Sequence, residues 1–452
     1  MTSALMTQQD SAFGGMSAVG HRSRFLAAMD AIVFAGLVVL LMFAPLAFGA
    51  VEPWAVALLE VTAALLFALW IFGQWQGRSL TLPALTMVWP LLAFMTLILF
   101  QLGLSLTAYW YATYSGLILV VVYFFIFILA AHSFRSERRL SQVAIAFSTY
   151  GFLVAVFGVI QSVTSNGKIY WLRTLEEASI PFGPYVNHNH YAGLMEMLAP
   201  IPLAAAFTPA FPRPQRVMAG FAAIVMGGSI FVSLSRGGMI AFLAEAIFLW
   251  LALHGVRGAR RSILTLAALL AITASFLIWF NGNQVISRIT STPAEWKSDR
   301  TEGRWATVKD GWAMFKRKPV TGFGLDVFPV VYPRFRSYYT NDFVNQAHND
   351  QVQLLVETGL LGYGIMVWFM VQLYRGGMRK IRIGTQTVTR LMTAAALAGC
   401  TGMLVHAFSD FNFHIPANAA MFWAFSAMAG AAPGYESRGS SLPGEVPHHE
   451  RV

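Results

Sequence analysis

The chain has 452 residues, 56% of them hydrophobic and 12% charged, with 31 Lys and Arg against 21 Asp and Glu for a formal net charge of +10. A charged share about half of the roughly 25% typical of soluble domains excludes a water-soluble fold and indicates an integral membrane protein. Its one cysteine, Cys400, excludes a disulfide within the chain.

A helix needs about 20 apolar residues to cross the hydrocarbon core, because its backbone finds no water there. Windows of that kind fall in chain order at 27–48, 54–73, 85–106, 113–132, 141–163, 188–208, 216–234, 237–254, 262–281, 352–374, 388–409 and 416–433. The expected fold is therefore all-α, a polytopic bundle of about 12 transmembrane helices. The first span is too long for a signal-peptide core and reads as an uncleaved helix. Residues 1–281 hold spans one to nine, 282–350 a long outer loop, 351–433 spans ten to twelve, and 434–452 a Gly-, Ser- and Pro-rich tail expected to be disordered and cytoplasmic.

Short connections rich in Arg and Lys remain in the cytoplasm. With the amino terminus inside, those connections hold Arg22, Arg24, Arg78, Arg135, Arg138, Arg139, Arg213, Arg216, Arg257, Arg260, Arg261, Arg375, Arg379, Lys380, Arg382 and Arg390, and the short outer ones only Lys168, Arg173 and Arg236. An even number of spans puts both termini in the cytoplasm. The 282–350 loop is outside and carries ten Arg and Lys residues; long loops cross regardless of charge, and the surplus points to an anionic partner such as lipid phosphates rather than nucleic acid.

Spans six, eight, ten and twelve run from outside to inside, so their amino ends face outward with free N–H groups and the positive end of the helix dipole. Such ends bind anions when brought together. Just before them lie the unusual polar runs: Asn187-His188-Asn189-His190, Ser235-Arg236-Gly237-Gly238, Ala347-His348-Asn349-Asp350 and Asp410-Phe411-Asn412-Phe413-His414. Asn187 or Asn189 can cap span six, Asp350 with Gln353 resembles a capping box, and Pro416 suits a first turn. A guanidinium at the depth of Arg236 needs a partner, and His348 at a helix start suits a general base.

In the outer loop Trp305, Val308, Trp312 and Phe315 share one helical stripe bordered by Arg304, an amphipathic helix ended by Pro319 and the Gly322-Phe323-Gly324 turn. The stripe is expected to be buried against the bundle or the bilayer, leaving Arg304, Lys316, Arg317 and Lys318 for function. His188, His190, His406, Asp410 and His414 raise a metal option, but His188 and His190 diverge on a helix and no metal-ligand spacing is present, so no metal is expected.

These elements, N-H-N-H-Y-A-G at 187–193, S-L-S-R-G-G at 233–238, R-W-x6-W-x6-P-x2-G-x-G from Arg304 to Gly324, A-H-N-D-Q-V-Q-L-L-V-E-T-G-L-L-G at 347–362 and H-A-F-S-D-F-N-F-H-I-P-A-N at 406–418, resemble the bacterial O-antigen ligase and polymerase superfamily over about 185–420. The resemblance implies a glycosyltransferase of the C-type (GT-C) membrane architecture in the inner membrane, independent of cofactor and metal. Such ligases transfer a glycan from undecaprenyl diphosphate to a sugar hydroxyl of lipid A-core at the periplasmic face, in lipopolysaccharide biosynthesis. It also implies that Arg236 and Arg304 contact the donor diphosphate and that His348 is catalytic, with Asn187, His188, Asn189, His190 and Asp410 in support.

An O-antigen polymerase and a protein O-oligosaccharyltransferase share the motifs. From a different class, a transporter or flippase would use intramembrane carboxylates such as Glu60, Glu196, Glu245 and Glu357. It would also place polar groups at mid-bilayer between related halves, and no internal repeat is visible.

Overall fold

The computed structural model describes residues 3–77, 86–175, 180–208, 211–254, 299–339 and 343–430. Span 262–281 and the tail from Gly434 lie outside the described residues. The helices in chain order are α1 (Ser3–Leu46), α2 (Pro53–Gly77), α3 (Val88–Gly103), α4 (Trp110–Ser133), α5 (Glu137–Thr164), α6 (His188–Leu198), α7 (Pro200–Ala206), α8 (Arg213–Val232), α9 (Arg236–His254), α10 (Asp299–Arg317), α11 (Phe328–Val331), α12 (Asp350–Ile383), α13 (Thr387–His406) and α14 (Pro416–Gly430). Among the described residues there is no sheet, only two isolated bridges.

Eight of these helices, α1 from Ser23, α2, α4, α5, α8, α9, α12 and α13, are long and apolar enough to cross a membrane. Their apolar surface points outward. In α1 and α2 only 28% of the most apolar window is buried although mean hydropathy there is 2.5 and 2.3, and Val39, Leu65, Ile145 and Val163 are exposed. Surface of that kind is stable against lipid and not against water. The protein is a multi-pass membrane helical bundle.

The other expected spans differ from simple rods. α3 has 16 residues. The 188–208 span is two helices, α6 and α7, because Pro200 and Pro202 have no N–H to continue the ladder. α14 covers 15 residues. α6, α7 and α14 can be short because longer helices enclose them: their side chains are almost all buried, and the window of α13 beside them is 72% buried.

At one end of the bundle, arginines bond the free carbonyls of helix carboxyl ends, where the dipole favours cations. Arg216 Nε donates to the Ala206 carbonyl (3.1 Å), Arg390 Nε to Ile381 (2.9 Å) and Arg135 Nε to Ala131 (3.0 Å). The polar helix starts gather at the opposite ends of the same bundle.

There the outer loop builds a small core of its own from Met314, Val327, Phe328, Tyr332, Ala347, Val352 and Val356. Against the bundle, the α10 stripe is buried only in part. Val308 and Phe315 pack on this core, whereas Trp305 and Trp312 are exposed. The face of α10 that is buried carries Gly303, Thr307, Asp310, Gly311 and Met314, because small residues let the helix lie close to Val352 of α12. Asp310 accepts bonds from Tyr332 Oη (3.1 Å) and the Ser337 N–H (3.0 Å).

α12 is broken at Gly359 (φ 65°, ψ −166°), so Asp350–Thr358 is a short outer helix joined to a longer membrane helix. The break is stitched to the outer loop through the backbone. Leu360 N–H donates to the Pro319 carbonyl (2.8 Å), Phe323 N–H to Val356 (2.9 Å) and Gly324 N–H to Glu357 (2.9 Å), which satisfies groups the break would orphan. Glycine is required on both sides of the seam: Gly322 has φ +67° and a Cβ there would lie 2.3 Å from the Glu357 carbonyl carbon, while one on Gly359 would lie 2.3 Å from the Val320 oxygen. Gly359→Ala and Gly322→Ala should each cost about 2 kcal/mol or more of stability. Measured by thermal unfolding in detergent, both should melt lower than the wild type, while Gly364→Ala, where a Cβ meets nothing within 4 Å, should not.

Candidate active site

The segment from Ala407 to Ile415, between α13 and α14, joins the four helix starts. Asp350 N–H, at the start of α12, donates to the Ala407 carbonyl (2.9 Å), and Asn349 Nδ2 to the Phe408 carbonyl (2.9 Å). Asn418 in α14 donates to the His190 carbonyl (2.9 Å) and to Asn412 Oδ1 (3.0 Å). Gly237 in α9 packs directly on Ser409 and His406. The ring of Phe411 stands between His190 and His348, at centroid distances of 4.7 and 4.9 Å and edge-on to both.

Caps fix each start. Asn187 caps α6 by accepting the Asn189 N–H (2.9 Å); His188 Nδ1 meets the Ser233 carbonyl at 2.6 Å, tying α6 to the turn before Arg236; Asn189 and His190 are buried. Ser235 Oγ accepts the Gly238 N–H (3.1 Å) at the start of α9. At α12 the cap is Asn349, which accepts the Val352 N–H (3.0 Å), rather than the expected Asp350. Gln353 still reaches back, its Oε1 accepting the Ala347 N–H at 2.8 Å. Asp350 is engaged elsewhere, by His414 Nδ1 (2.7 Å) and the Phe413 N–H (3.1 Å).

His348 has φ +50°, a left-handed conformation uncommon for a residue with a side chain and stable only where its surroundings impose it. Here the Ala347 bond to Gln353 on one side and the Asn349 cap on the other impose it. The ring presents its buried Nδ1 to Asp410 Oδ1 at 3.6 Å, across a side chain 25% exposed on the histidine side and fully buried on the aspartate side. Asp410 Oδ1 also accepts the Phe411 N–H (2.9 Å), and its Oδ2 has no hydrogen-bond partner. Burial would raise the Asp410 carboxyl, but its pairing with His348 and the charges of His190, His348 and Arg304 outweigh that and hold it well below the usual carboxylate range.

The two arginines reach the same segment by different routes. Arg236 is the half-buried first residue of α9, beside Ser409 through Gly237. Arg304 is exposed near the start of α10, close enough to Asp410 for its charge to act there. Gly237 puts Arg236 beside Ser409, the Arg304 charge acts on Asp410 and His348 faces the same carboxylate, so all three are tied to residues 406–410. Among the described residues, no group of three or more His, Cys, Asp or Glu side chains could hold a metal.

A second polar group lies beneath, and sequence reasoning did not find it. His406 Nδ1 pairs with Glu196 Oε1 at 2.8 Å with both side chains buried, and Gly402 brings Glu245, also buried, beside them. Each residue was visible as an intramembrane polar group, but nothing in the spacing links positions 196, 245 and 406.

A multi-pass helical bundle with a polar cluster at one end, where helix starts meet residues 406–415, defines the class: an integral-membrane protein. Residues 221–369 match the family model described as O-antigen ligase, so that third of the chain is similar to this family. It is an enzyme, and the match supports a membrane glycosyltransferase with an O-antigen ligase function in lipopolysaccharide biosynthesis. The matched stretch contains Arg236, Arg304 and His348, whereas Asn187–His190 and Asp410 lie beyond it. No curated protein matches the chain.

The His414 imidazole, partly buried, is opposed by burial but raised to about 9 by its bond to Asp350 and by the charges of Asp350, Glu357 and Asp326, against an ordinary 6.5. Its contribution to stability is therefore complete below about pH 6.5 and lost as pH rises through about 9. The melting temperature of the wild type should fall between pH 7 and pH 10 more steeply than that of His414→Gln; parallel curves would remove the pairing from the stability of the site.

Proposed function

We propose that the chain transfers a glycan from undecaprenyl diphosphate to a sugar hydroxyl of lipid A-core at the periplasmic face, by a single inverting displacement that needs no metal. The observation that supports this reading is the His348–Asp410 pair, with the Arg304 charge acting on Asp410. Asp410 Oδ1 stands 3.6 Å from Nδ1 of His348, beyond hydrogen-bond length, and its negative charge favours the proton on that nitrogen, which leaves Nε2 as the base. The acceptor oxygen attacks the anomeric carbon as its proton passes to Nε2. The bond from that carbon to the diphosphate oxygen breaks on the opposite side. Arg236 and Arg304 pair with the phosphate oxygens, and the capped starts of α6, α9 and α12 add partial positive charge where negative charge grows. The planar guanidinium suits this task because it stays charged and binds two oxygens at once.

The C-type membrane architecture, twelve spans with 262–281 among them, cytoplasmic termini and a periplasmic site belong to the same proposal, supported by the arginine-bonded helix ends opposite the site. Cys400 is fully buried, so thiol labelling in intact cells has a clean background. Lys309→Cys should react with an impermeant maleimide from the periplasm, and Gln215→Cys only after the membrane is opened; the reverse pattern would invert the orientation.

In a purified assay with lipid-linked glycan and lipid A-core, His348→Ala should lower kcat by about 10²- to 10⁴-fold, the range for loss of a general base. Asp410→Asn should lower kcat and shift the pH profile, as expected of a positioning residue. Arg236→Lys should raise the donor KM although the charge is kept, and excess chelator should leave the wild-type rate unchanged. Full activity in His348→Ala would end the base assignment. Product formed with a second lipid-linked glycan in place of lipid A-core would identify a polymerase.

A further inference from the structure

α10 has charged groups at both ends. Arg304 belongs to the site described above; Arg317, thirteen residues on, lies about 20 Å away along the helix. There a cavity of about 620 Å³ opens between the end of α10 and the 323–335 segment, lined by Arg317, Lys318, Arg334, Phe323, Phe335 and Ala108 among others. No carboxylate lines it. Arg317 and Arg334 are exposed, and neither has an ion-pair or hydrogen-bond partner among the described residues. Lys318 is held in place, its Nζ donating to the Leu106 carbonyl (3.1 Å) and lying 5.2 Å from the centroid of the Phe323 ring. Three cations around one opening with no counter-charge repel one another and concentrate anions.

The surroundings identify the kind of anion. Ala108 and the Leu106 carbonyl belong to the short turn between α3 and α4, and the next residues, Tyr109, Trp110, Tyr111 and Tyr114, are all exposed. Aromatic side chains in such a row mark the headgroup level of a bilayer. The cavity volume is within the range of small-molecule sites, and its Phe323 and Phe335 walls, 6.0 Å apart by ring centroid, offer apolar faces to a sugar ring while the guanidinium forks suit phosphate oxygens.

We infer that this cavity is a second anion subsite, separate from the donor site, which binds phosphate groups on the headgroup of a membrane-anchored glycolipid, the acceptor in the function proposed above. Phosphate is the chemistry recognised, and the aromatic row makes a lipid headgroup its source rather than free phosphate. The site fixes the acceptor by groups remote from the reacting hydroxyl, so its arginines act on acceptor binding and not on the chemical step.

The test uses the whole protein in nanodiscs of neutral lipid. Binding of bisphosphorylated lipid A, read by native mass spectrometry without turnover, should weaken about tenfold or more in Arg317→Gln/Arg334→Gln and stay unchanged in Arg304→Ala, and dephosphorylated lipid A should bind the wild type no better than the double variant binds the phosphorylated form. Equal binding by the wild type and the double variant overturns the subsite. Displacement of the lipid by inorganic phosphate at matched concentration overturns the headgroup assignment. In the ligation assay the double variant should raise the acceptor KM about tenfold with kcat and donor KM held within about twofold; a rise in donor KM instead overturns the acceptor assignment. Binding that tracks Arg317 and Arg334 in a protein that transfers nothing to lipid A-core would sustain the subsite while refuting the proposed function.

Discussion

Phe411, held edge-on between His190 and His348, marks the segment on which the site depends. A membrane protein cannot leave helix ends without partners where water is scarce, and residues 407–415 supply those partners to several helices at once. They give carbonyls to the start of α12, an amide oxygen to Asn418 of α14 and a surface to Gly237 of α9. The satisfaction of the backbone and the assembly of this polar cluster are therefore one event. Substitution of Phe411 would remove the packing that keeps two imidazoles on either side of one carboxylate.

The electrostatic character of the cluster follows from that assembly. Asp410 is buried yet stays charged because cationic and imidazole groups surround it on several sides. On the function proposed above, the positive charge of the arginines and the helix dipoles would meet an incoming diphosphate. The left-handed backbone of His348 shows the same economy: a conformation unfavourable in isolation is imposed by Gln353 and Asn349, so the ring is set before any substrate arrives.

Much of this could be read from the sequence, because long apolar windows and charge asymmetry are local signals. The eight long membrane helices, the α10 helix from Asp299 and the polar runs before α6, α9, α12 and α14 all belong to that kind. What escaped depends on three-dimensional neighbours. The break between α6 and α7 at Pro200 was present in the sequence, yet apolarity continues across it, since lipid exposure and burial among other helices select the same side chains. Asp350 had the chemistry of a cap, but the more distant His414 claims it and passes the cap to Asn349. The tryptophans of α10 formed the apolar stripe, and the side that met α12 was the one with glycine and threonine, because close approach outweighed hydrophobicity. His406 and Glu196, 210 positions apart, share no pattern that a single chain could reveal.

The glycine seam at 319–324 and 356–361 fastens α10 at its carboxyl end. Arg304 is about fifteen residues away, roughly 22 Å of helix, and the packing of Gly311 on Val352 and the bonds of Asp310 carry that fastening along α10, since a tilt of only about 5° over this length would displace the guanidinium by about 2 Å, enough to make or lose a hydrogen bond. Two small residues pressed backbone to backbone thus govern the aim of a charge far from them.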